Sequence, residues 1–298
     1  MSSESALPEA NTIQPGILAP VPAGARFVTF ALRAGADARA VLARLAGASH
    51  DPATVVGLGA PLTAAVGFQV ERLRAFPALT PFPSTQGAIW LVATHAERGA
   101  AFDACRAFAK RLGDGVAVVE EIDAFRYRGG RDLSDYEDGT ENPKGDAAVT
   151  AAIVPGAAAG LSGGSFVAVQ RWVHDLGAVE GMAAEARDNV VGRSRESNEE
   201  LADAPLSAHV KRTAQESFTP AAFVVRRSMP YGGIAEHGLY FVAYGASLDH
   251  FERQLRRMAG REDGIVDGLL SFTRAVTGSY FFCPPLRDGK LDLRALGL

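Results

Sequence analysis

The chain has 298 residues, 47% hydrophobic and 21% charged, with a formal net charge of -4. That length suits two ordinary domains with a sizeable core, and the mild acidity gives no general attraction for nucleic acid or an anionic membrane. Its two cysteines, Cys105 and Cys283, are too far apart in sequence and too few for a disulfide framework or a zinc knuckle, which points to a reducing compartment.

Residues 1–24 lack the basic and apolar regions of a secretory signal and read as a polar, proline-punctuated lead-in, and no later stretch is apolar for long enough to span a bilayer. The expected location is the cytoplasm. Strand-like 26–32 is followed by a helix over 37–48, strands over 55–62 and 87–95, a helix through 97–115 and a strand over 116–127. The rhythm then repeats: strand 165–176, helix 177–192, strands 221–229 and 238–247, an amphipathic helix over 248–260 carrying Phe251, Leu255 and Met258 on one face, and strand 279–285. Two β-α-β-β-α-β units predict an α+β chain of two ferredoxin-like domains with antiparallel sheets, 1–145 and 146–298.

Between Tyr127 and Ser165 lies a connection too long to be incidental in a compact protein. Its centre, DYEDGTENPKG (135–145), packs Asp135, Glu137, Asp138 and Glu141 among turn-forming residues. Such a run is most often a solvated loop, but a tight turn can also aim one carboxylate into a cavity, where burial raises its pKa and suits it to proton transfer. Of the six histidines none has a second ligand at metal-site spacing. His174 ends a strand on the face of Trp172 and is equally readable as surface, and His209 gains interest only from its neighbours. In VVRRSM, strand alternation turns one of Arg226 and Arg227 inward, where it needs an anionic partner.

DGTENPKG, GRSRESNEEL, SAHVKR, VVRRSMPYG, GLYFVAYGAS and TGSYFF occur in that order. Through them the chain resembles the dye-decolourising peroxidases of the bacterial B-type, nearest the YfeX-like cytoplasmic members, from about 14 to 285. The resemblance implies one non-covalent haem b per chain, held mainly by the second domain, with His209 as the axial ligand of the iron. It implies catalytic roles for Asp138, Arg226 and Ser228, and cofactor contacts from Arg193 near the propionates, from Gly139, Thr140 and Glu141, and from Phe241 in the distal pocket. One departure is Asp135, which stands where the family's Gly-x-x-Asp-Gly motif has its first glycine; Asp tolerates a left-handed backbone better than most residues. No acidic partner for His209 can be assigned, Glu216 being the nearest candidate.

The implied reaction uses hydrogen peroxide and a dye, phenol or other one-electron reductant, with Asp138 as proton acceptor and Arg226 as charge stabiliser, Arg226 expected to weigh more. Trp90, Trp172, Tyr127, Tyr136 and Tyr231 are candidate surface relays, although packing is the commoner role of such residues. Haem storage or iron removal with incidental peroxidase activity is the alternative, and a non-catalytic module a further one. Family analogy also implies a homo-oligomer, dimer or larger. The C-terminal LDLRALGL resembles, loosely, tails that load peroxidases into encapsulin shells, and is expected to pack against the domain instead.

Overall fold

The structure, a computed structural model, describes residues 9–298. The first half comprises β1 (Gly24–Leu32), α1 (Ala38–Ala46), β2 (Thr54–Gly59), α2 (Ala60–Ala65), β3 (Ile89–Ala93), α3 (Arg98–Leu112) and β4 (Val116–Phe125). After α4 (Asp146–Ala152) come β5 (Ser165–His174), α5 (Leu176–Gly181), α6 (Ala184–Val191), α7 (His209–Arg212), β6 (Val225–Arg226), β7 (Met229–Gly232), β8 (His237–Gly245), α8 (Leu248–Met258), β9 (Thr273–Ala275) and β10 (Ser279–Cys283).

These strands form one antiparallel sheet where the sequence suggests two. Their bonded order runs β8-β7-β4-β1-β3-β2-β10-β5, and β5 pairs back onto β8, so the sheet closes into a barrel. Closure removes unpaired strand edges, the reason that the edges of the two halves join, β4 to β7 and β2 to β10. β6 runs along β8 ahead of β7, and β9 extends β5.

The pleat sends alternate residues to opposite faces. Inside the barrel, the ring of Phe27 lies 4.1 Å from that of Tyr240 and 6.2 Å from that of Trp90. The Trp90 indole donates to the Tyr240 hydroxyl at 3.2 Å, so the buried N–H is satisfied. Outside, Val28, Phe30, Val56 and Leu58 join α1 and α3 in one apolar layer, and Phe166 and Phe282 join Phe251, Leu255 and Met258 of α8. The periodicity of α8 thus matches its buried face.

Several boundaries differ from the sequence reading. The 55–62 strand stops at Gly59, because Pro61 starts α2. The helix expected over 177–192 breaks into α5 and α6 where Met182 and Ala183 are extended. Of 221–229 only two short pieces, β6 and the start of β7, pair, and the Ser228 hydroxyl between them accepts the Val242 N–H at 3.3 Å in place of a ladder carbonyl.

Residues 1–8 of the polar lead-in lie outside the described residues. The rest is built into the barrel wall: Gln14 is fully buried, donating to Val56 O and Pro284 O and accepting from Val56 N–H. The C-terminal segment is likewise packed, with Leu291, Leu293 and Leu296 buried in the outer layer. Among the described residues no helix is long and apolar enough to cross a membrane.

Gly238 sits on the pair that closes the barrel, and a Cβ there would meet the Trp172 carbonyl oxygen at 2.0 Å. Gly238→Ala should therefore cost roughly 1–3 kcal/mol, as overpacking does, read as a lowered urea midpoint; an unchanged midpoint would show that β5 and β8 part without penalty.

Candidate functional site

On strand β5 the residues Gln170, Trp172 and His174 point out of the barrel, as do Leu239 and Phe241 on the paired β8. Over this outer face, α8 contributes Phe251, Gln254 and Met258, and the 132–138 loop crosses the opening. The space enclosed, open mouth included, is about 910 Å³. Its wall is largely apolar by area, and its polar groups converge.

His209 opens α7, and its Nδ1 lies 2.8 Å from Asp267 Oδ2. Asp267 is 1% exposed and tightly held, its other oxygen accepting the Leu269 N–H and its own N–H donating to Met258 O. A carboxylate at Nδ1 fixes the proton there and leaves Nε2 as the ring's lone-pair donor. Asp267, then, and not Glu216, is the acidic partner of this histidine. It comes from the turn after α8, 58 residues away in sequence, beyond the reach of local inspection.

Asp138 reaches the same pocket from the connecting loop. Asp135 stands at φ 72°, the left-handed backbone that the motif's glycine would supply, and Gly139 at φ 75°. Arg131 secures the turn by donating to the carbonyls of Asp135 (2.5 Å) and Arg195 (3.0 Å). Burial raises the Asp138 carboxyl above its ordinary pKa; Arg226 opposes the shift and the Asp132 charge adds to it.

Arg226 is the inward member of the arginine pair, while Arg227 turns away to donate to Leu18 O and Ala19 O. Asn142 of the DGTEN turn clamps Arg226 by its backbone, accepting its N–H at 2.8 Å and donating to its carbonyl at 3.0 Å. The Arg226 Nε is buried without a hydrogen-bond partner and lies 3.9 Å from Asp138 Oδ1, too far for a direct bond. Gln170 Nε2 and Trp172 Nε1 are also buried and unpartnered in this wall. Buried donors without acceptors are costly, so three of them around one free imidazole nitrogen mark a space shaped for a ligand that carries acceptor atoms.

The remaining site candidates from the sequence fall into three groups. Phe241 is in the pocket wall and packs on Phe251, ring centroids 5.5 Å apart. Ser228 and Gly139 line a smaller neighbouring cavity with Asp138, Asn142 and Arg226. Thr140, Glu141 and Arg193 line neither cavity: Arg193 pairs with Glu141 at 2.5 Å, and Asn198 donates to the Thr140 hydroxyl at 3.1 Å. Of the aromatic candidates, Trp172 and Tyr136 line the pocket, Trp90 and Tyr231 are buried in the barrel, and Tyr127 lies under the Arg128 guanidinium.

Sequence reasoning missed two pocket residues besides Asp267. His174 is buried, not on the surface, and bonds Asp132. The shared parity of His174 and Trp172 was the available signal for the first; for Asp132 it was the Asp-x-Ser turn in which Ser134 N–H donates to its side chain.

The family model described as Dyp-type peroxidase, C-terminal, matches residues 129–288, more than half of the chain. A dye-decolorizing peroxidase of Brevibacterium linens is 32% identical over 307 residues, covering 94% of this chain and 82% of that protein. One from Mycobacterium tuberculosis is 36% identical over 59% of this chain, and that match spans only 55% of the relative's length. Among solved structures, a dye-decolorizing protein from V. cholerae superposes with a TM-score of 0.82 at 30% identity, covering 95% of this chain and 98% of the other. DyPB from Rhodococcus jostii RHA1 superposes with a TM-score of 0.81 at 29% identity over 91% of this chain and 95% of its own, and variants of it were solved in complex with heme. By sequence and by fold, the chain belongs to the dye-decolourising peroxidase family.

Proposed function

We propose that this protein is a haem-dependent peroxidase of the B-type, reducing hydrogen peroxide at the expense of dyes, phenols or other one-electron donors. The observation that carries the reading is the convergence of a free imidazole nitrogen, a half-buried carboxyl and a guanidinium with an unpartnered Nε on one pocket. The donor set fits haem b: one neutral nitrogen ligand, aromatic and aliphatic walls, and orphan donors for oxygen atoms. When bound, the haem supplies the iron and the store of oxidising equivalents.

His209 would hold that iron through Nε2, and its Nδ1–H bond to Asp267 makes the ring a stronger donor. Asp138, as carboxylate, takes a proton from one peroxide oxygen and returns it to the other, a task served by a raised proton affinity. Arg226 offers its free Nε–H and its charge to the departing oxygen. Ser228 acts at one remove, holding the strand that carries Arg226. Arg193, paired with Glu141, would contact the cofactor together with Gly139, Thr140 and Glu141. A haem carrier would have no use for Asp138 and Arg226 at the pocket, which is why peroxide chemistry is preferred over storage.

We further read the barrel as two ferredoxin-like halves, 1–145 and 146–298, supported by the matching orders β4-β1-β3-β2 and β10-β5-β8-β7. The reading includes a cytoplasmic location, supported by two free buried thiols, Cys105 and Cys283. It also includes self-association as a dimer or larger, supported by exposed Val118, Val119 and Phe125 on β4.

Three measurements test this reading. Titrated with haem, the chain should develop the absorption of a histidine-ligated ferric haem. His209→Ala should abolish it and Asp267→Asn weaken binding about 10- to 100-fold, as loss of a ligand's hydrogen-bond partner does; equal binding by all three proteins would remove His209 as ligand. In rapid mixing of the haem-loaded protein with peroxide, Arg226→Ala should slow the reaction about 10²–10³-fold, and Asp138→Ala by about 10². A collapse in the first with the second nearly intact would end the proton-acceptor role of Asp138.

The third is a stability measurement. Because the folded Asp138 carboxyl has a raised pKa, the stability it contributes is present below its unfolded value of about 4 and is lost as pH rises through the folded value. Haem-free Asp138→Asn should therefore be more stable than the parent near neutral pH, with the difference fading toward about pH 4. A difference in urea midpoint that does not vary with pH would contradict the shift.

A further inference from the structure

The pocket holds a second polar cluster that the peroxide chemistry above does not use. Asp132, Ser134, His174 and Thr273 all line it. His174 Nε2 lies 3.0 Å from Asp132 Oδ1, and Nδ1 lies 2.6 Å from Thr273 Oγ1. The other Asp132 oxygen accepts from the Ser134 N–H at 2.8 Å and from the Ser134 hydroxyl. The single proton of the Thr273 hydroxyl has two acceptors in reach, the Val173 carbonyl at 3.1 Å and His174 Nδ1 at 2.6 Å. The negative charge on Asp132, whose other oxygen holds only neutral donors, favours a cation beside it and so the first placement. In that placement both nitrogens of His174 face acceptors, and the doubly protonated ring satisfies both.

Asp132 is also the hinge of the catalytic loop. Its N–H donates to Tyr136 O, and its carbonyl accepts from Asp135 N–H, closing the turn that ends at Asp138. The bond to His174 fastens that turn to β5, the strand on the floor of the pocket.

We propose that His174 is a positioning residue of this site: as an imidazolium paired with Asp132, it anchors the 132–138 loop to the barrel and neutralises the pocket's second carboxylate. The inference rests on the reading of Asp138 as the proton acceptor. The charged and titratable groups around Asp138 are Arg226 from β6, His209 from α7, and Asp132 and Glu137 from its own loop. His174 is met by Asp132 from the loop, with neutral Thr273 and Phe272 on its other side. In agreement, the Asp132 carboxyl, which burial alone would push up, is held below its ordinary value by His174 and Ser134.

The sign of the charge gives a test that a packing role would fail. His174→Gln leaves Asp132 uncompensated and should raise the proton affinity of Asp138. Asp132→Asn removes the anion, leaves the cation, and should lower it. Imidazole ¹⁵N and carboxyl ¹³C resonances of the full-length haem-free protein, assigned with His174→Gln and Asp138→Asn, would read both. We expect two protonated ring nitrogens on His174 near neutral pH, and Asp138 midpoints displaced in opposite directions by about one pH unit. A singly protonated ring, or midpoints that stay or move the same way, would overturn the proposal.

Should His174→Gln not fold, Thr273→Val removes only the Nδ1 acceptor and should lower the pH at which the ring loses a proton; an unchanged titration is equally fatal. In the haem-loaded enzyme, the acid limb of the peroxide reaction should follow the same opposite signs. A holoenzyme inert to peroxide would remove the function proposed above, while the two titrations still decide the role of His174.

Discussion

The pairing of β5 with β8 is the constraint on which the rest of the molecule depends. It closes the barrel, and by its register it sets Gln170, Trp172 and His174 beside Leu239 and Phe241 on one outer face. The same pleat sends Val169, Tyr240 and Val242 inward to the aromatic core, so the pocket floor and the barrel interior are two sides of one sheet. Anything that shifted this pair by one residue would exchange floor for core.

On that rigid floor the polar groups are placed by side-chain hydrogen bonds, some to backbone and some to one another. Asn142 grips Arg226, Asp267 grips His209, Ser134 and His174 grip Asp132, and Ser228 fills a missing rung of the ladder. All but the Ser134 bond tie a loop to a strand or a helix end, so the reactive groups inherit the stiffness of the sheet although most lie in irregular chain. The cost is visible in what is left unsatisfied. Arg226 Nε, Gln170 Nε2 and Trp172 Nε1 remain without partners, and the Asp138 carboxyl is held against the preference of its surroundings.

Much of this was legible along the chain. Strand alternation located the sheet, the spacing of Phe251, Leu255 and Met258 gave the buried face of α8, and RR in a strand required one inward arginine. Glycine-poor, carboxylate-rich DYEDGTEN marked a turn with a task, and the left-handed Asp135 shows why Asp could replace the expected glycine there. The less legible parts all involved long-range pairing. Continuity of the sheet needs edges from both halves to meet. The break between α5 and α6 has no proline, and its one local signal is Gly181 at the end of α5. The lead-in looked detached because its anchor, Gln14, bonds backbone at Val56 and Pro284.

The sequence by itself determined which chemistries are available, since residue type and local spacing fix pKa ranges, donor inventories and turn preferences. It also determined the two-fold β-α-β-β-α-β rhythm, because periodicity is a local property. Only the tertiary structure decided that Asp267 serves His209, that His174 is a buried partner of Asp132 and not a surface residue, and that Ser228 supports a strand. Each of those is a contact between residues 14 to 58 positions apart, set by barrel closure. A hydrogen bond reaches about 3 Å, and no local pattern records which distant groups the fold will bring within that distance.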